Sequence, residues 1–224
     1  MNEIEQNIVW KTGHKLALAS ILAIQFAIAY MIGTGGLLEN TQLTILPPIA
    51  TTVFIPVALF LLAYAMSERF RKFVLAQDIR TLTALQLWRV IGFTFLTLYS
   101  FSVLPGLFAW PAGLGDFAVG LVAAWMIVNL DKDPNYAYSS GFMRFQFFGM
   151  LDFVAALGTA ALSSGAFPSL ISNGLTSSAL DIWPLNLFPS FIVPGFIILH
   201  LVVLLKIRHA RRLSLTGAKP ALAA

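Results

Sequence analysis

The sequence predicts an all-α, polytopic membrane protein: a bundle of six transmembrane helices with both termini cytoplasmic. Three observations carry that prediction. Hydrophobic residues make up 58% of the 224 residues and charged residues 11%, about half the charged share of an ordinary soluble domain. A soluble chain of this size has too much surface per unit volume to hide that much apolar area. Apolar runs of the length a helix needs to cross roughly 30 Å of hydrocarbon recur six times along the chain. Lys and Arg occupy alternate connections only, the asymmetry described by the positive-inside rule.

The spans are expected at about 15–38, 44–66, 83–104, 116–130, 141–162 and 190–208, within one transmembrane domain over 1–212, followed by a flexible cytoplasmic tail over 213–224. Lys11 and Lys15 precede the first run, which is too long for a signal-peptide core and lacks a small-residue cleavage site, so it reads as a retained span. Between the second and third, "SERFRKFVLAQDIR" (67–80) alternates apolar and basic residues at spacings of three and four. It reads as an interfacial helix drawn to anionic headgroups. "PGLFAWPAGLG" (105–115) reads as turn-rich and leaves span four short, unless the span recruits part of this loop. Lys132 lies between spans four and five, and Lys206, Arg208, Arg211, Arg212 and Lys219 end the chain. The remaining connections hold no Lys or Arg, only acids such as Glu39 and Asp181. The loop over 164–189 is apolar and too broken by Gly and Pro for a span; it suits a cap on the outer surface, favoured here, or a shallow re-entrant hairpin. Count and charge agree on a multi-pass protein of the cell membrane, of bacterial inner-membrane type, with the basic side cytoplasmic.

An ionisable group at membrane depth costs at least ~2.5 kcal/mol and so needs a partner, a water path or a task. Gln25, Arg89, Asp152 and His200 fall near the middle of their spans. Asp152 and His200 are at nearly the same depth. Arg89 is offset by roughly 7 Å, estimated from the helical rise, which a guanidinium on its long stem can bridge. Gly149, Ala156 and Ala160 share a side of span five with Asp152, so helices can approach closely around the acid. Asp152 is therefore expected to face protein, with Arg89 as its counter-charge and His200 as a proton relay or substrate contact. The alternative is an ion pair and a histidine that only lock helices together. Gln25 reads as an interhelical hydrogen bond. Asp116, at the expected start of span four, reads as a cap for free backbone amides at the positive helix end, or as an acid at the mouth of a cavity near Trp110 and Tyr99. Arg144, at the start of span five, reads as a headgroup contact. "GDFAVGLVAAWM" (115–126) faintly echoes "LDFVAALGTAAL" (151–162), although counting from the expected span edges puts the two acids at different depths.

Composition and motifs narrow the chemistry. There is no cysteine and there are three histidines, so disulfides and thiolate chemistry are excluded and a multi-histidine metal or haem centre is not expected. The sequence contains no Walker loop, HExxH or GxSxG motif, and no lysine lies mid-span for a Schiff base. No cofactor or metal is expected. The excess of basic residues is explained by topology, so nucleic acid is not an expected partner. The expected partners are the bilayer, anionic headgroups at the basic loops and a small-molecule or lipid ligand at the polar site, with oligomerisation left open. The leading expectation is a protein that moves or senses a small solute or proton through Arg89, Asp152 and His200. Its rivals are a membrane-embedded enzyme acting on a lipid or isoprenoid, and a structural accessory subunit.

Overall fold

The computed structural model describes residues 12–170 and 174–215. These residues are helical with no strands, and they contain six helices long and apolar enough to cross a membrane. Span one is α1 (Thr12–Gly35). Span two is α2 (Thr51–Met66), entered through a 3₁₀ turn at Pro48–Ala50. A short surface helix, α3 (Glu68–Leu75), follows. Span three is α4 (Ile79–Leu85), a 3₁₀ stretch (Gln86–Phe93) and α5 (Thr94–Ser100). Spans four and five are α6 (Gly106–Lys132) and α7 (Ser140–Leu162). Span six is a π-turn (Phe188–Ile192) continued by α8 (Val193–Leu215). The tail expected from 213 is still helical to Leu215, and beyond that it lies outside the described residues.

The main departure from expectation is α6, which begins at Gly106 and not at Asp116. "PGLFAWPAGLG" is helix, not turn. Pro111 removes one backbone donor near the start of a long helix, and in hydrocarbon every other amide must bond internally, which outweighs the poor helix propensity of Gly and Pro. Span three also starts earlier than expected, because the Asp78 carboxylate accepts from the Thr81 N–H at 2.7 Å and caps α4.

α3 is an amphipathic surface helix within the 67–80 stretch. Ser67 Oγ accepts from the Phe70 N–H at 3.2 Å, Phe70, Phe73 and Val74 turn into the core, and Arg69, Arg71 and Lys72 turn outward. The Lys206 ammonium donates to the Leu75 carbonyl and ties span six to the end of this helix. At the opposite end of the bundle, the loop after α7 forms the expected cap. Leu180 packs with Phe95, Leu104 and Phe108, and Asp181 Oδ2 accepts from the Asn40 N–H at 3.1 Å, joining two loops.

Spans three to six form the packed core, and α1 is peripheral. It leans on the start of span six through neutral contacts: Asn186 Nδ2 donates to the Ala29 carbonyl at 2.6 Å and Gln25 Nε2 to the Ser190 carbonyl at 3.2 Å. Spans two and five both pack on span six, and Val53, Phe153 and Ile197 of the three spans share one buried cluster.

Candidate functional site

The tight winding in span three determines what faces inward. A 3₁₀ helix has three residues per turn, so residues three apart stack in line. Gln86, Arg89 and Gly92 are the buried residues of that stretch and stand on one stripe against spans four, five and six. Arg89 has no exposed surface. Its Nε donates to Asp116 Oδ1 at 2.7 Å, its Nη2 to Asp152 Oδ2, and its Nη1 to the Gly149 carbonyl at 3.2 Å. Nη1 also lies 3.2 Å from His200 Nε2. The guanidinium carbon sits 4.0 Å over the Phe153 ring, a cation–π contact in a desolvated setting.

Arginine can only donate, so the contact with His200 assigns the imidazole tautomer. Nε2 is the acceptor, and Nδ1 carries the hydrogen, donating to Gln146 Oε1 at 2.6 Å. The imidazole is therefore neutral and held at both nitrogens, with Phe145 and Phe153 packed around it. Small residues make the close approach possible. A methyl group on Gly115 would collide with the Asp152 carboxylate, and one on Gly149 with the His200 ring.

The structure thus brings Arg89, Asp152 and His200 together and adds Asp116. The capping role for Asp116 is overturned: it lies well inside α6, bonded to Arg89, because the helix starts at Gly106. The depth assignment falls with it. Asp116 and Asp152 are equally far from the loop ends of their antiparallel helices and lie within hydrogen-bonding reach of one another. Gln25 stays apart, on α1. Arg144 is exposed near the start of α7. Sequence reasoning missed Gln86 and Gln146. Each stands on the stripe of a charged or small residue at spacings of three, a signal that was present but carried no charge to draw attention.

Two carboxylates and one guanidinium share this interior, and the histidine is neutral. Charge balance is reached when the carboxylate pair holds one proton. Isolated charge in a dry interior is costly, so the cluster has the composition of a protonatable unit whose third member, Arg89, stays cationic.

A cavity of about 100 Å³ adjoins the cluster. Asp116 lines it and keeps 15% of its side-chain surface open, whereas Arg89 has none. The far end is lined by Asp181 of the cap. Burial pushes the Asp181 carboxyl up to about 6, opposed by the bond from the Asn40 N–H and assisted by the neighbouring charge of Glu39. Among the described residues, no group of His, Asp and Glu is disposed to hold a metal ion.

No curated protein and no solved structure matches the chain. A family model does, described as "Domain of unknown function (DUF8737)", over residues 46–208, which contain spans two to five, most of span six, the whole Arg89 cluster and the cavity but not α1. The chain belongs to the DUF8737 family.

Proposed function

We propose that this multi-pass membrane protein takes up and releases a proton at the Asp116–Asp152 pair, and so moves or senses a proton or a small solute coupled to one. The observation that carries this reading is the sharing of one buried guanidinium by two carboxylates, one of which borders a cavity. Arg89 is the fixed counter-charge. Four of its five N–H donors are engaged by Asp116, Asp152, Gly149 and His200, which argues against its receiving an anionic substrate. His200 positions Arg89, because its Nε2 is occupied by the guanidinium and its Nδ1 by Gln146. The charge-changing groups are then the two acids, each bonded to the permanently charged Arg89.

Difference infrared spectroscopy tests the proposal on protein in lipid, as pH is varied over the range in which it stays folded. The expected result is a carboxylic-acid carbonyl band that changes with pH and is lost or shifted in both Asp116→Asn and Asp152→Asn. A band that never changes would mean a static packing lock. In the same reading the basic side is cytoplasmic: alkaline phosphatase fused near Asp181 should be active and near Asn135 inactive, and the reverse pattern would overturn the orientation.

A further inference from the structure

Resting on that reading, we propose that the cavity beside Asp116 binds a small lipophilic monocation, a short-chain alkylammonium. The walls are apolar and aromatic, with Phe95, Phe108, Phe153 and Phe188 among them. The polar lining consists of two carboxylic acids, Asp116 and Asp181, and one hydroxyl, and no Lys, Arg or His borders the space. That hydroxyl, Ser177 Oγ, is already committed to the Ala160 carbonyl at 2.7 Å. Two acids in an apolar wall reject an anion and leave a neutral ligand without a partner of matching strength. An ammonium gains both a carboxylate and aromatic faces.

Size and access point the same way. An engineered apolar cavity of about 150 Å³ takes up benzene, so a cavity of about 100 Å³ with an open side suits a ligand slimmer than a benzene ring, with a short alkyl chain. Leu46 and Phe54, both in the lining, are 66% and 52% exposed, so the cavity has an open rim. The exchange balances as a substitution: the ammonium enters with its charge, the carboxylate pair gives up its proton to solution, and the net charge of the cluster with its ligand is unchanged.

The test uses the full chain in lipid nanodiscs, with empty discs subtracted, and two probes of nearly equal shape, n-butylammonium and pentanoate. The expected outcome is saturable binding of one cation per chain, at least about tenfold tighter than the anion, with release of one proton in weakly buffered solution. Asp116→Asn should abolish the release. Ala160→Leu fills the cavity at a residue outside the charged cluster, and it should abolish cation binding while leaving the infrared carboxylic band in place. Leu157→Trp at the rim serves the same purpose should Ala160→Leu fail to fold. Equal binding of both probes, or cation binding undiminished in the filled variants, overturns the inference. A titrating carboxylic band without cation binding sinks this inference alone. Absence of the band from the unmodified protein sinks the proton site itself, whatever the cation does.

Discussion

Two polar seams cross the interior of this molecule, and they are built to different standards. Along α1, the seam is neutral: Gln25 and Asn186 each donate one hydrogen bond to a backbone carbonyl, and Asn186 Oδ1 and Ser190 Oγ are buried without a partner among the described residues. Between spans three and six, the seam is charged, and Arg89 is bonded on every nitrogen. The contrast follows from cost. A buried neutral oxygen without a partner costs about 1–3 kcal/mol, which a bundle tolerates, whereas a stranded charge costs more. A neutral seam can be incomplete and still hold helices together. A charged seam must stay balanced, so any change in one carboxyl group is answered by a proton or a ligand.

The comparison breaks most visibly at Arg89. Arg89→Gln leaves two carboxylates facing each other, and should cost about 3–5 kcal/mol, read as a large drop in thermal midpoint in detergent. Adding Asp152→Asn should recover much of that loss, since one acid then remains and can be protonated. An Arg89→Gln protein as stable as the parent would show that the cluster is not balanced by charge.

A smaller effect separates two glycines on the same helix. Gly149→Ala drives a methyl group into His200 and toward Arg89, an overpacking worth about 1–3 kcal/mol. Gly158→Ala meets nothing within 4 Å and should be neutral or stabilising by up to about 1 kcal/mol from helix propensity. Equal midpoints for the two variants would argue against close packing at the cluster.

The cap contributes a pH dependence of its own. The folded Asp181 carboxyl titrates at about 6, above its ordinary value of 3.8, so between those values the folded protein holds a proton that the unfolded chain has lost. The stabilising contribution is complete at the acid end and disappears as pH rises to about 6, a fall on the order of 1 kcal/mol. Asp181→Asn keeps an acceptor for the Asn40 N–H and should remove this slope from a plot of midpoint against pH. A slope unchanged in that variant would assign it to other groups. The smallest effect is expected in the neutral seam: Gln25→Leu should cost only about 0.6 kcal/mol, and a loss as large as that of Arg89→Gln would erase the distinction between the seams.

Much of this was legible in the sequence, for physical reasons that also explain what was not. Arg89, Asp152 and His200 stood out because ions are rare in apolar runs, and six spans emerged from run length and the alternation of basic loops. Asp116 was misread because Gly and Pro signal turns in water, whereas 106–115 is helical, as a hydrocarbon setting would require. Gln86 and Gln146 carry no charge and were passed over, although His200 and the inward stripe of span three depend on that register. The 3₁₀ winding and the cavity were beyond reach, since both depend on how five spans pack and no single stretch encodes them.

The central claim is that the carboxylate pair carries one exchangeable proton. Its most direct test is a difference titration that counts the protons bound by the unmodified protein against the Asp116→Asn/Asp152→Asn double variant, in the same lipid and over the full range of pH in which both stay folded. The account predicts that, beyond titrations common to both proteins, the unmodified protein takes up one additional proton per chain as pH falls. Identical titration curves would contradict it and leave Arg89, Asp116 and Asp152 as a fixed lock between helices.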